Sequence, residues 1–170
     1  MALFLCKKLG GNVMVINYSI ADHAIGFPSK VLAAEGGKHI YNVQLTNDCD
    51  NGNFIARDEW LSLDLYSEKA ATEVEGIVRE QAANGNWYVE ITKPGDALFV
   101  CNVDDHPEDW NNAFKKEGIA YNKAGSVVRA YELAVGDVVE ISDAGFTAVP
   151  VLVDGTDYEV ELSGKKLAKA

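Results

Sequence analysis

The chain has few of the residues that cross-link a small protein or hold a structural metal. It has three cysteines, Cys6, Cys49 and Cys101. An odd number at wide spacing argues against a disulfide framework or a zinc site and indicates synthesis in a reducing compartment. No apolar run reaches about 18 residues, so no membrane span is predicted. The apolar stretch at residues 1–5 is too short, before Lys7, for a signal peptide.

Positive charge is scarce as well. Lys and Arg number 15 against 26 Asp and Glu, a net charge of −11, and a body this acidic disfavours nucleic-acid binding because phosphate repels carboxylate. The charge is uneven: residues 1–40 sum to 4 − 2 = +2 and residues 161–170 to 3 − 1 = +2, so residues 41–160 hold −15. The basic N-terminal stretch, with Lys7 and Lys8, fits contact with an acidic protein surface. Charge that serves solubility alone is the alternative.

Catalytic signatures are missing from the sequence. A nucleophile needs a base beside it, and the three histidines, His23, His39 and His106, lie in loop-like or strand-edge sequence. The chain contains no Gly-x-Ser-x-Gly motif, Walker loop or dinucleotide fingerprint. The sequence therefore predicts a protein that is not an enzyme and uses no cofactor.

One acidic segment, residues 48–59, has some features of a calcium-binding loop. Such a loop needs an oxygen ligand at its fifth position and glycine at its sixth. Here Gly52 is fifth and Asn53 is sixth, so the spacing does not fit. The sequence predicts a hairpin turn over residues 47–53 and no metal site.

The chain is rich in short alternating apolar segments separated by Gly, Asn and Asp turns. One helix is predicted at about 106–117, because Pro107 and acidic residues begin it and Gly118 ends it. We expect a mainly β fold, a small barrel or sandwich with this one short α-helix and an extended N-terminal arm. Strands are predicted at 12–20, 39–45, 54–57, 60–66, 86–92, 97–103, 127–133, 138–142, 147–152 and 158–162.

The clearest β pattern lies at residues 121–142. Residues 127–133 alternate in polarity, Gly136 and Asp137 mark a turn, and residues 138–142 return. The pattern predicts a hairpin. Arg129 and Tyr131 are interpreted as surface or packing residues of a structural strand.

Residues 68–81 fit two structures. The apolar spacing from Ala70 to Val78, with Ser67 as an N-cap, is compatible with a helix. Gly76 within the run, and an Asn-Gly pair at residues 84–85, favour a strand at 73–80 that pairs with 86–92. The strand is preferred, and the helix stays open.

Three units are predicted along the chain. Residues 1–40 form an arm or peripheral strands, residues 41–163 a β-rich domain, and residues 164–170 a flexible tail. Trp60, Trp87 and Trp110 lie in three different predicted elements, where large aromatic side chains serve as core or interface anchors. A carbohydrate platform would need such rings exposed on one face.

The order of these segments resembles that of small structural proteins of tailed bacteriophages, encoded near the major capsid protein. The resemblance covers about residues 50–142, and its motifs are turn and strand phrases. The phrases are Asp50-Asn51-Gly52-Asn53, a strand pair over 73–91, Ala97 to Asp105, the helical stretch 107–116, Tyr121-Asn122-Lys123-Ala124-Gly125, Arg129-Ala130-Tyr131 and Gly136-Asp137-Val138-Val139-Glu140-Ile141-Ser142.

The resemblance implies a capsid decoration, or cement, protein that binds and stabilises the head shell. It implies the major capsid protein as partner, homo-oligomeric or lattice-templated copies, and a place on the virion surface after synthesis in the host cytoplasm. It brings no catalytic residue and implies neither nucleic-acid nor membrane binding. Lys7 and Lys8 would contact the shell. The alternative from another class is a glycan- or receptor-binding module of a head or tail fibre.

Overall fold

A computed structural model of the chain describes residues 23–36, 39–102 and 121–170. Strands dominate this part, and helical structure is limited to one short helix and one 3-10 turn at Asp143–Gly145. The elements are β1 Gly26–Lys30, α1 Leu32–Gly36, β2 Ile40–Gln44, β3 Cys49–Asp50, β4 Phe54–Ser62, β5 Leu65–Lys69, β6 Glu75–Gln81, β7 Trp87–Lys93, β8 Leu98–Val100, β9 Tyr121–Asn122, β10 Val127–Glu132, β11 Val138–Ile141, β12 Tyr158–Ser163 and β13 Lys166–Lys169.

Two β structures make up the body. A closed five-stranded barrel has the strand order β10-β2-β5-β4-β8, and a six-stranded sheet has the order β1-β11-β7-β6-β12-β13. In the barrel β2 and β5 are parallel, whereas the other barrel pairs and all sheet pairs are antiparallel. The prediction of a mainly β fold with a small barrel is confirmed.

Period-two alternation gives the barrel strands two buried faces. In β4, Ile55 belongs to a cluster inside the barrel, and its neighbour Phe54 belongs to a cluster between barrel and sheet. In β8, Leu98 and Val100 point inward while Phe99 packs outward. The rings of Phe54 and Phe99 meet edge to face at 5.5 Å. The larger core therefore fills the space between the two β structures and joins them.

The hairpin predicted at residues 121–142 is wrong in one respect. Both strands form, and Gly136 takes the positive φ of 90° that its turn requires. However, β10 pairs with β2 and β8 in the barrel, while β11 pairs with β1 and β7 in the sheet. The turn is a corner between the two structures, fixed by hydrogen bonds from Gly136 N to Ile91 O and from Ile91 N to Asp137 O, both 2.8 Å.

The hairpin turn predicted at residues 47–53 is also wrong. The chain does turn there, with Gly52 at a φ of 85°, but the flanking strands β2 and β4 do not pair with each other. Instead β3, inside this segment, pairs with β9. A local turn signal cannot reveal a partner more than 70 residues away (Asp50 opposite Tyr121).

The predicted flexible tail at residues 164–170 is wrong as well. A turn at Gly164, with a φ of 66°, sends the chain back as β13, which pairs with β12. Leu167 is fully buried between barrel and sheet. One buried leucine and a strand ladder are enough to order a short terminal segment.

The segment 68–81 is extended, as preferred above, and its helical alternative is wrong. β6 pairs with β7 around the Asn84–Gly85 turn, where Gly85 has a φ of 93°. The predicted strand at 147–152 is wrong, because these residues join β11 to β12 outside any named strand. Within residues 1–40, predicted as an arm or peripheral strands, the described part forms β1 and α1.

Several sequence-based predictions lie outside the described residues. These are the strand at 12–20, the helix at about 106–117, and the side chains of Lys7, Lys8, His106 and Trp110. Among the residues that are described, no helix is long and apolar enough to cross a membrane.

Candidate functional site: the barrel mouth and its apolar hairpin

The hairpin formed by β4 and β5 presents large apolar side chains to solvent. At its tip Trp60 is 68% exposed, Leu61 48% and Leu63 85%. Two register shifts interrupt the β4–β5 pairing on either side of Trp60, and Asp64 closes the turn with a φ of 57°. We call residues 60–65 the apolar tip. Contiguous exposed apolar groups of this kind are typical of protein interaction sites.

The apolar tip is held in a defined shape by local hydrogen bonds. The indole N–H of Trp60 donates to the carbonyl oxygen of Ser62. The backbone N–H of Glu59 donates to Ser67 Oγ at 3.0 Å. These bonds replace the ladder bonds that the register shifts remove, so the tip is ordered although its side chains are exposed.

Next to the apolar tip, at one open end of the barrel (the barrel mouth), an arginine contacts two tyrosine rings. The guanidinium carbon of Arg57 lies 4.1 Å from the ring centre of Tyr41 and 5.2 Å from that of Tyr66. The two rings meet edge to face at 5.6 Å. Both distances are within the reach of a cation–π contact.

The Tyr41 ring is fixed from the other side by Glu132. The Tyr41 hydroxyl donates to Glu132 Oε2 at 2.9 Å, and His39 Nδ1 lies 2.8 Å from the same oxygen. Burial raises the pKa of Tyr41, and the hydrogen bond to Glu132 raises it further. The hydroxyl therefore keeps its proton at neutral pH and stays a donor.

The base of this hairpin is anchored by a buried carboxylate. The Glu68 side chain, 3% exposed, forms an ion pair with Lys165 Nζ at 2.5 Å and accepts the backbone N–H groups of Thr46 at 2.6 Å and Asn47 at 3.2 Å. Burial alone would raise the pKa of Glu68, but the hydrogen bonds from Lys165, Thr46 and Asn47 outweigh it and lower the pKa.

A second polar cluster, around β3 and β9, pairs a histidine with a carboxylate, but the described residues beside it include no ionised thiol. His23 Nδ1 lies 2.9 Å from Asp50 Oδ1, and the other Asp50 oxygen accepts the N–H of Ala24. The adjacent thiol is Cys49, and burial raises its pKa to about 12, so it is not a thiolate at neutral pH. Burial likewise raises the pKa of Cys101 to about 11.

The first two carboxylates of the segment considered above for calcium, Asp48 and Asp50, are used within the protein. Asp48 accepts the Tyr121 hydroxyl and the Ala124 N–H, and these hydrogen bonds lower its pKa. Within the described ranges no group of three or more His, Cys, Asp or Glu side chains is arranged to hold a metal ion. The hydrogen bonds of this cluster hold β3 and β9 together.

A shallow depression of about 270 Å³ lies on the open sheet between β6 and β12. Glu75, Glu159 and Glu161 line it. Of these, Glu75 is in an ion pair with Lys93 at 3.3 Å. The described residues that line the depression include no aromatic ring, so it is a weaker candidate for a binding site than the barrel mouth.

The structure separates the tryptophans that the sequence grouped together. Trp60 is exposed in the apolar tip. Trp87 is 7% exposed and donates its indole N–H to Asp143 Oδ1 at 2.7 Å, so it is a core residue and cannot share an exposed platform with Trp60. Of the two strand residues interpreted as structural, Tyr131 packs in the core and Arg129 is exposed.

Sequence reasoning missed the residues that accompany Trp60, namely Arg57, Tyr41 and Tyr66. They lie on three different strands that are neighbours in the barrel wall, in the order β2-β5-β4, and only this strand pairing brings them together. A partial signal was present, because Arg57 follows Ile55 at period two and so places a charge next to an apolar residue on the same face of the strand.

No family model, curated protein or solved structure matches the chain.

Proposed function

We propose that the chain is a structural protein of a tailed-bacteriophage virion, a decoration protein that binds the head shell and stabilises it against internal pressure. Its partner is the major capsid protein, and copies are arrayed by the shell lattice. The sequence resemblance over residues 50–142 motivates the virion assignment. The single observation that carries the binding role is the exposed apolar tip on a body of two joined β structures.

The apolar tip supplies enough surface for a useful contact. Burying a side chain such as Trp60 or Leu63 contributes roughly 1.5–3 kcal/mol. One such contact is weak, but a shell presents many equivalent sites, and linked copies gain affinity by avidity. The basic residues Lys7 and Lys8 remain a proposed additional shell contact.

The proposal is tested by electron microscopy of purified particles made with and without this protein. We expect extra density at symmetry-related positions on the head when it is present. Density at the tail alone would reject the decoration role and support the fibre alternative. Binding of free glycans without binding to heads would support that alternative too.

A pair of matched variants tests the surface. Replacing Trp60 and Leu63 together by serine is expected to lower head occupancy at least tenfold, since about 1.4 kcal/mol corresponds to a factor of ten. The control replaces Val149 and Val151 by serine; they are 51% and 71% exposed and belong to the β11–β12 connection. Loss of occupancy in the control and not in the tip variant would place the contact elsewhere.

A further inference from the structure

At the barrel mouth a cation, the Arg57 guanidinium, lies directly beyond the apolar interior of the barrel. Along β2 and β4, Val43 and Ile55 point into the barrel core. Two residues further towards the mouth on the same faces stand Tyr41 and Arg57. On β5, Tyr66 is the register partner of Val43. Three strands therefore bring Arg57 and two tyrosines to one rim.

The two ring contacts position the Arg57 guanidinium without pairing it with an anion. Because the rings are perpendicular, the guanidinium can lie flat against at most one of them, and neither ring supplies a carboxylate for its five N–H donors. Among the described residues no carboxylate oxygen lies within 4.0 Å of Arg57. Two carboxylates on neighbouring strands are already used: Glu132 by Tyr41 and His39, and Glu68, the register partner of Arg57, by Lys165.

The other exposed arginines show that this arrangement is particular to Arg57. Arg79 is paired twice, with Glu90 at 2.7 Å and with Asp157 at 3.6 Å. Arg129 has neither a carboxylate nor a ring partner among the described residues. Only Arg57 is both held by aromatic rings and free of a carboxylate within the part of the chain that is described.

We propose that Arg57, held by Tyr41 and Tyr66, is a receptor for one side-chain carboxylate on a loop of the shell protein. The planar fork of N–H groups matches a carboxylate with two parallel hydrogen bonds. Trp60 and Leu63, beside it on the hairpin, cover apolar side chains next to that carboxylate. Arginine, tyrosine and tryptophan are the residues that most often dominate protein interfaces. The identity of the partner depends on the proposed function, whereas the receptor chemistry does not.

The surroundings select a single carboxylate over a polyanion. Asp58, Glu59 and Asp64 lie on the same hairpin, so a nucleic acid or a phosphate-rich surface would be repelled. Asp58 and Arg57 are adjacent in β4, and alternation directs them to opposite faces. One carboxylate can therefore reach the guanidinium at short range despite the acidic body.

The test uses the isolated protein and two capped dipeptides, acetyl-Leu-Asp-methylamide and its Asn counterpart. In an NMR titration we expect saturable shifts of the Arg57 Nε–H and of the Tyr41 and Tyr66 ring resonances with the Asp peptide. Binding should be weak, in the millimolar range, and about tenfold tighter than for the Asn peptide, since charge-assisted bonds are the stronger ones. Arg57→Gln should abolish this preference, and Arg57→Lys, which lacks the fork, should reduce it severalfold.

Arg129→Gln and Arg79→Gln are the matched controls and should leave the preference unchanged. Equal binding of the two peptides, or an unchanged preference in Arg57→Gln, would overturn the receptor. If wild type prefers the Asp peptide but never appears on heads, the proposed function fails and the receptor stands. If the Arg57→Gln variant decorates heads as well as the wild-type protein does, the receptor has no role in docking, and this inference fails while the decoration role holds.

Discussion

Two long hairpins of the described chain, β4–β5 and β6–β7, are both antiparallel strand pairs, but one exposes apolar side chains at its tip and the other exposes polar ones. The β6–β7 hairpin lies inside the sheet, buries Val78, Val89 and Ile91 fully or nearly so, and ends in a polar Asn-Gly turn. The β4–β5 hairpin lies in the barrel wall, is buried only near its base, and ends in apolar side chains that are exposed. The β6–β7 hairpin packs into the core between the two β structures, and the β4–β5 hairpin leaves its apolar tip exposed.

The polar groups of the two hairpins differ in the same way. Glu140 anchors the β6–β7 turn by accepting the side-chain N–H groups of Asn84 and Asn86, both at 2.7 Å, so the turn is tied to β11. In the β4–β5 hairpin the buried anchor, Glu68, lies at the base, and the tip has only local hydrogen bonds. The tip of the β6–β7 hairpin is therefore hydrogen-bonded to the body, whereas the tip of the β4–β5 hairpin is hydrogen-bonded only within itself.

The largest expected difference between the hairpins is in core burial. Ile91→Ala, in β7, should lower the free energy of unfolding by about 2–5 kcal/mol, because it removes fully buried methyl groups and leaves a cavity. Leu63→Ala, in the apolar tip, should change it by less than about 0.5 kcal/mol. Urea unfolding of both variants measures the difference. Similar losses would mean that the tip is packed against the body.

A backbone contact gives the next largest effect. In β6 an added Cβ at Gly76 would lie 2.8 Å from Glu90 O and 3.0 Å from Val89 Cγ1. Gly76→Ala should therefore cost about 1–3 kcal/mol by forcing β6 away from β7. The control is Gly85→Asn at the turn, where nothing lies within 4 Å and asparagine tolerates positive φ. An unaffected melting temperature for Gly76→Ala would show that the strands separate at little cost.

The anchor at the base of β4–β5 should give a pH-dependent effect. The pKa of Glu68 is lower in the folded protein than its ordinary value. Its contribution to stability is therefore complete above the ordinary glutamate pKa and is lost as pH falls through the lowered value. Glu68→Gln should lose about 1–3 kcal/mol at pH 7, and the gap to wild type should narrow in acid. A gap that is constant with pH would assign the loss to packing.

Trp60→Phe is expected to have the smallest effect on stability and a distinct effect on tryptophan fluorescence. The free energy of unfolding should stay within about 0.5 kcal/mol of wild type, because the ring is exposed. Fluorescence should lose a component that acrylamide quenches readily, whereas Trp87→Phe should remove a protected one and destabilise the fold. Protected emission from Trp60 in the isolated protein would contradict an exposed tip.

The sequence predicted much of the local structure because that structure has local causes. Alternating apolar residues identified β2, β7, β8, β10 and β11, and the Asn-Gly pair at 84–85 identified the β6–β7 hairpin. Gly76 and the Asn-Gly pair at 84–85 correctly favoured a strand over a helix for residues 73–80. The mainly β class and a small barrel followed from many short strands with turns between them.

The candidate site could be predicted only in part. Trp60 and Trp87 were both predicted to be core or interface anchors, since residue type alone does not distinguish an exposed indole from a buried one, and the structure places Trp60 at the exposed tip and Trp87 in the core. Arg57, Tyr41 and Tyr66 were missed. They are separated by up to 25 positions in the chain and meet because β2, β4 and β5 are adjacent in the barrel wall.

The sequence by itself determined where strands and turns form, the acidic character of the body, and the absence of a recognisable catalytic motif, because these depend on residue identity and spacing. Only the tertiary structure decided which strands pair. Gly136 and Asp137 form a turn in either arrangement, but whether the next strand folds back or crosses to the other sheet depends on the free energy of burying Phe99, Ile91 and Leu167 between barrel and sheet. That cooperative burial also orders residues 166–169 and leaves the apolar tip uncovered.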